Sequence, residues 1–554
     1  MGLTGYRLFS AITITLGTLF CGKAIANDAT HILPGHTLSP KVIAGALSIV
    51  PDTKMLRLAV RLPMRNEEFF DDLVARMYTP GDALYGKYLS VEEFADFGAS
   101  EEDYERVAKF FAGFHCSILA THENRLLMDV ECAQSNIERA LSVRISYWLT
   151  QQGETVRTID KDPSVPAGLP IEAIHGLTNI PRHPHFVRSS SNSSSLTGTG
   201  PNGGLSPRDI RTAYDFNGLS QNGSGQTLAL FELDGYRSSD IAAYQSLFGL
   251  SPGIPLQNVL VDGFDGTAGP NSVQDTLDIE LMMAIAPGAS KILVYEGPNT
   301  DVGVIDVYQK IANDNLAKVV STSWGIAEDL SPTALLISEG QIFKQMAAQG
   351  QAIFAASGDG GAFADGQRLS VEDPASQPFV TAVGGSSLIM SPSQGYMSET
   401  TWWNPQTRLG SGGGVSSMWM IPSWQSGVIT SASLGSKSWR NLPDVSLDAD
   451  PSTGYAIYAD GEWAVYGGTG CSAAIWSAFS ALVNQERATL GRGMLGFANP
   501  ALYRVGESAN YSSVFHSVAD GSRNGFYPSV VNYDLAKGWG SFDAAKLLPN
   551  LLSP

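Results

Sequence analysis

The chain has 554 residues, a formal net charge of −19, 43% hydrophobic residues and 16% charged ones. That length exceeds one ordinary hydrophobic core, so two domains behind a leader are expected. The composition excludes a disordered or fibrous chain, and the acidic balance excludes nucleic acid as a partner, because phosphate binding needs a basic footprint.

Arg7, a largely apolar run from Leu8 to Cys21 and the small-residue site Ala24-Ile25-Ala26 read as a secretory signal over residues 1–26. Export follows, to a secreted or periplasmic location. No later segment reaches the roughly 18 consecutive apolar residues of a membrane span.

Residues 27–182 read as a compact α+β unit. Met55 to Leu62 alternates like a half-buried strand, Glu67 to Met77 and Val91 to Phe111 are mostly helical, and Ser135 to Leu141 is a short helix before a strand around Arg144 to Leu149. Two helices on one face of an antiparallel sheet is the simplest arrangement. His115 to Thr121 and Leu126 to Cys132 form a hairpin in which Cys116 and Cys132 both lie eight residues from Asn124. They face each other as a cross-strand disulfide or as two buried thiols.

Residues 183–206 carry Ser189 to Ser195 and a Gly-Pro-Asn-Gly-Gly stretch. So little apolar surface implies an exposed, cuttable linker. From 207 to 554 short buried runs alternate with helical patterns. The runs are Gln226 to Glu232, Lys291 to Tyr295, Lys318 to Ser321 and Gln351 to Ala356; the helices are Gln274 to Ile285, Val302 to Ala312 and Ser331 to Gln349. That pattern implies a parallel sheet covered by helices, with its site at the carboxyl ends of the strands. Ser323-Trp324-Gly325 and Ser357-Gly358-Asp359-Gly360-Gly361 fall there.

Of eight histidines only His516 lies beyond the linker. No histidine cluster exists to bind zinc, and a nucleophile in the large domain would need a carboxylate base, which works in acid. Asp278 projects from a largely apolar helix, with Gln274 one turn earlier on the same face. Taken alone, Asp278 is a helix-face carboxylate and Asp359 a turn cap.

Together with Gly467-Gly468-Thr469, these segments resemble the sedolisin (serine-carboxyl peptidase) family, close to the kumamolisin type. Tyr85-Gly86-Lys87-Tyr88-Leu89-Ser90 resembles its propeptide, and Leu205 to Ile210 its mature start. The resemblance implies a subtilisin-like parallel α/β sheet with helices on both faces, preceded by an α+β propeptide domain. It also implies a secreted zymogen that cleaves peptide bonds in acid with a serine nucleophile and a glutamate base. By that resemblance Asp278 orients the glutamate, Asp359 donates a proton to the oxyanion, and Ser323, Trp324 and Gly325 line the substrate cleft. The glutamate position is Gln274, however, and the serine position is Gly470. The family's calcium site is also degraded: Ser517 beside Val518 replaces an aspartate, Val530 and Asn532 replace two glycines, and Asp534 stands alone as a carboxylate. Neither Cys471 nor Ser472 is a ready substitute, because each is rotated about 100° or more from residue 470 on a helix.

The expected protein is therefore an exported, monomeric pseudopeptidase that keeps the fold and cleft, binds polypeptide and has no cofactor, calcium only if the degraded site still holds it. An acid endopeptidase using non-standard groups is the alternative. A third is an inhibitor or chaperone-like module whose propeptide still covers the cleft.

Overall fold

The computed structural model describes residues 29–151, 153–190, 197–250 and 253–552. The leader expected at 1–26 and residues 191–196 of the serine tract lie outside the described residues.

The N-terminal unit is built on a four-stranded antiparallel sheet in the order Ser117–Thr121, Leu127–Ala133, Met55–Arg61, Ala173–His175. Its central strand alternates as the sequence does. Leu56, Leu58 and Val60 pack with Val107 and Phe111 of the helix Glu101–Gly113 into the unit's own core. Ala59 faces the opposite way and packs against the large domain. Arg57 on that face reaches Asp262 at 2.6 Å, and Arg61 pairs with Glu172 at 3.2 Å. A half-buried strand was the sequence expectation; both of its faces are covered, the second by another domain.

Two helices share one face of this sheet, Glu101–Gly113 and Gln134–Leu141, but the helix Glu67–Met77 is not one of them. Helix Glu67–Met77 turns Phe70, Val74 and Met77 toward Phe94, Phe97 and Ala348, and Ala348 ends a helix of the large domain. Its apolar stripe is completed across the domain boundary, which no local pattern reveals. The predicted helical stretch 91–111 is two helices, Val91–Ala95 and Glu101–Gly113, because Ser90 and Ser100 each accept a backbone N–H at a helix start. Between them Gly98 packs against the Asn124 carbonyl so closely that any Cβ would overlap it. Cys116 and Cys132 are joined as a disulfide.

The large domain holds an eight-stranded sheet. Leu256–Leu260, Lys291–Glu296, Thr227–Glu232, Val319–Thr322, Ala352–Ala356 and Thr381–Met390 run parallel in that order; Val445–Asp448 adds in parallel and Tyr396–Thr401 antiparallel to Thr381–Met390. Alternate residues feed two cores. Leu228 and Leu230 meet the helices Ser272–Ile285 and Thr469–Thr489, while Ala229 and Phe231 meet Asp301–Asp314 and Thr333–Ala348. The second helix pair also carries the N-terminal unit. Among the described residues no helix is long and apolar enough to cross a membrane.

Candidate functional site

Three strand ends and two helices converge at one edge of the sheet, as parallel topology requires. Glu232 closes its strand, Ser323 follows Val319–Thr322, and Ser357–Asp359 follows Ala352–Ala356. Helix Thr469–Thr489 starts there. Helix Ser272–Ile285 is buried on every side, so Gln274, Asp275 and Asp278 are all out of water.

The segment expected to be an exposed linker enters this site. His183–Pro184 pairs antiparallel with Trp324–Ala327, placing His183 opposite Gly325 and Pro184 opposite Trp324. The His185 N–H donates to the Ser323 carbonyl at 3.0 Å, and the His185 carbonyl accepts from the Gly470 N–H at 3.1 Å. Val187–Arg188 then pairs with Tyr466–Gly467 on the other side. An extended strand satisfied on both sides is how a peptide adds to a cleft edge. The exposed-linker expectation therefore fails for residues 184–187, which backbone pairing rather than apolar content holds, while His183 and Arg188 at the two ends are exposed. The Arg182-His183-Pro184-His185-Phe186 run before the serine tract was the available signal.

Residue 470 lies beneath the His185 carbonyl. A Cβ built on Gly470 would stand 2.7 Å from that oxygen, 2.9 Å from Gln274 Nε2 and 2.9 Å from Ser323 Oγ. The place of a side chain is thus taken by three polar groups. Among the described residues the Gln274 amide, the Asp278 carboxyl and the Ser323 hydroxyl complete no hydrogen bond of ordinary geometry. Burial pushes Asp278 up to about 7, although Ser323, Gln274 and Glu232 face it and pull the other way. Asp359 is also raised by burial, against His185 and Thr469, and its Oδ1 accepts from the Thr469 N–H at 2.8 Å and its hydroxyl at 2.9 Å. A Cβ on Gly468 would touch both the His185 carbonyl oxygen at 2.5 Å and Asp359 Oδ2 at 3.0 Å, so acid and carbonyl share one small space.

Two more carboxyls extend this group: Glu232, which sequence reasoning missed, and Asp275, which it set aside as rotated away from Gln274. Trp324 Nε1 donates to Glu232 Oε2 at 2.8 Å, and Glu232 faces both Asp275 and Asp278. Burial raises Glu232 and Asp275 well above the carboxylate range. A glutamate ending an apolar strand at the carboxyl edge was the readable signal for the first. The side groups considered as substitutes point elsewhere. Ser472 Oγ donates to the Leu447 and Asp448 carbonyls, and burial holds the Cys471 thiol well above its usual range. His516 bonds Ser541 and stacks on Tyr396, outside this group.

At the C-terminal segment the residues do not fit a calcium ion. Asp534 is fully buried and already accepts N–H groups from Val530, Ala536 and Lys537 at 2.8 to 3.0 Å. The Lys537 ammonium lies 2.9 Å from Asp534 Oδ2 and donates to the Asn532 carbonyl at 2.9 Å. A tethered cation thus occupies the oxygens that remain. Val518 offers its carbonyl to Ser529, and Ser517 is exposed.

The buried carboxyls fix a sign for pH dependence. Burial pushes Asp278 and Asp301 up to about 7 and Glu296 up to about 8. Each binds its proton more tightly folded than unfolded, so stability grows as pH falls through these values. His185 rises to about 9 because Glu372 and Asp359 outweigh its burial, and its contribution also grows below that pH. Thermal unfolding should show the melting temperature rising from about pH 8 to about pH 6, with a shallower rise for Asp278→Asn; a falling curve would contradict this assignment.

Comparison with known proteins agrees with this fold. Residues 46–180 match the model described as Pro-kumamolisin, activation domain, and residues 267–495 match the Subtilase family. Kumamolisin from Bacillus sp. (strain MN-32) is 34% identical over 553 residues, covering 95% of this chain and 97% of that protein. Sedolisin from Pseudomonas sp. (strain 101) is 27% identical, covering 88% and 86%. The solved structure of Pseudomonas sedolisin bound to pseudo-iodotyrostatin superposes with a TM-score of 0.57 at 29% identity, over 64% of this chain and 98% of that one. The chain belongs to the sedolisin family of serine-carboxyl peptidases, with a propeptide domain ahead of a subtilisin-like domain.

Proposed function

We propose that this chain is an exported pseudopeptidase: it holds polypeptide in a peptidase cleft and does not cut it. The observation that carries the reading is the crowding at residue 470, where Gln274, Ser323 and the His185 carbonyl stand within 2.9 Å of a built Cβ. No hydroxyl exists at 470 to attack the adjacent carbonyl, and the amide at 274 accepts no proton at useful pH. In subtilisin, loss of the nucleophile costs about 10⁶ in turnover. Nucleophile and base form one proton-transfer unit, so losing both leaves only binding and oxyanion contacts. The inhibitor-like reading draws on the same linker, which covers the cleft of its own chain. Family membership supports polypeptide as the ligand and export as the setting, and we read the protein as a monomer without cofactor.

Activity decides between this reading and an acid peptidase. The purified protein should release no product from a quenched peptide library at about pH 4. The double variant Gln274→Glu/Gly470→Ser should gain measurable turnover, because Asp278 and Asp359 are in place. Gly470→Ser alone should stay inactive and open the linker to an added protease, since its Cβ meets backbone at 2.7 Å. Wild-type turnover that requires neither change would overturn the reading.

The Lys537 ammonium replaces calcium in this account. Millimolar calcium or a chelator should leave the melting temperature unchanged, whereas Lys537→Met should cost about 3–5 kcal/mol, as when one partner of a buried ion pair is removed. A chelator that lowers the melting temperature would show that the segment still takes a metal.

A further inference from the structure

Outside the cleft, the boundary between the two domains buries a second group of ionisable side chains. Ala59 and Leu127 of the N-terminal sheet pack against the large domain, and Asp129, opposite Ala59, lies on the same face. His122 sits in the turn between Ser117–Thr121 and Leu127–Ala133. From the large domain come Asp306, on the helix Asp301–Asp314, and Asp262, just after the strand Leu256–Leu260. The side chains of Asp129 and Asp306 are only 2% and 3% exposed. One ligand atom from each of His122, Asp129 and Asp306 lies within 4.8 Å of the other two, and His122 Nε2 is 3.6 Å from Asp129 Oδ2. Arg57 faces the same acids. Its Nη2 reaches Asp262 Oδ1 at 2.6 Å but stands 3.5 Å from Asp129 and 3.7 Å from Asp306.

Three carboxylates against one guanidinium leave two negative charges uncompensated in a buried place, which is costly. Among the described residues, His122 Nε2, Asp129 Oδ1 and both Asp306 oxygens complete no hydrogen bond of ordinary geometry, although a proton on Asp306 can bridge to Asp262. Protons are thus the present substitute: burial and the neighbouring Asp129 and Asp262 carboxyls push Asp306 well above the carboxylate range, and Arg57 offsets only part of this. A divalent ion supplies the missing two charges and displaces those protons. One imidazole nitrogen with two carboxylates is a zinc-type donor set, whereas calcium wants six or more oxygens. Such an ion holds its ligands roughly 3.5 Å apart, close to the His122–Asp129 separation. The Asn313 amide lies 3.4 Å from His122 Nδ1, too long a contact to fix the tautomer, so Nε2 is able to present its lone pair. We propose that His122, Asp129 and Asp306 form a zinc-type divalent-cation site that staples the N-terminal unit to the large domain. The half-open turn at His122 gives the ion its way in. No histidine cluster announces such a site, because its ligands stand at positions 122, 129 and 306. The ion is structural and takes no part in peptide chemistry, so the proposal stands apart from the pseudopeptidase reading.

The test uses the full chain, stripped with a chelator and then titrated with zinc by calorimetry. One equivalent should bind per chain. His122→Ala and Asp306→Asn, one from each domain, should each weaken binding at least about 100-fold, since even the loss of an outer partner costs about 10- to 100-fold. Zinc should raise the melting temperature of the wild type and leave both variants where they stand in chelator. In chelator Asp306→Asn should melt no lower than the wild type, because it removes one of three crowded acids; where it does not fold, Asp306→Ala carries the same titration. A fall in melting temperature on chelation that His122→Ala abolishes belongs to this site and not to the C-terminal segment. Failure of the stripped chain to take up zinc overturns the proposal. Binding that survives His122→Ala marks an adventitious ion only, and binding that survives substitution of Asp306 overturns the staple between domains. Calcium or magnesium held as tightly as zinc also overturns it, because such a site makes no use of the imidazole.

Discussion

The hydrogen bond from the Gly470 N–H to the His185 carbonyl joins the two halves of this molecule at the place where chemistry would occur. The backbone of residues 183–188 must pass through the cleft to make it, paired to Trp324 on one side and Gly467 on the other. That path in turn requires the N-terminal unit to sit on the helices Asp301–Asp314 and Thr333–Ala348, which cover one face of the sheet. The close approach at residue 470 follows from the strand lying there.

With the strand in place, the distinction between binding and cutting reduces to two side chains. A serine at 470 and a glutamate at 274 would share a proton across the short distance that the Gln274 amide and Ser323 hydroxyl now fill. Gln274, Ser323 and Glu232 all face the buried Asp278 carboxyl. Asp278, Asp359 and Glu232 are buried together, and that burial raises all three toward their protonated forms. In the C-terminal segment the Lys537 ammonium lies against the buried Asp534 carboxylate at 2.9 Å.

Much of this was legible in the sequence. The parallel sheet, its helices and the placement of Asp359 and Ser323 at the carboxyl edge follow from periodicity and from the strand-end rule, whereas Asp278 joined them only through the family resemblance. The motif Gly467-Gly468-Thr469 fixed the register that exposes Gly470. What escaped was non-local. His185 and Glu372 are 187 residues apart and meet only because the linker folds back. The helix Glu67–Met77 finds its partner at Ala348, in another domain. Lys537 is an ordinary surface residue type, and only its Nζ against the Asn532 carbonyl reveals its role. Backbone pairing of a polar linker has no compositional signature, so composition alone assigned it to solvent.

The central claim is that the His185–Phe186 peptide bond is presented to the site and left whole. The most direct measurement is the intact mass of the purified full chain during incubation at about pH 4, where a working family member would release its propeptide. The account predicts a constant mass with the chain continuous across residues 185 and 186. Spontaneous loss of roughly the first 185 to 205 residues, at a rate independent of added protease, would contradict it.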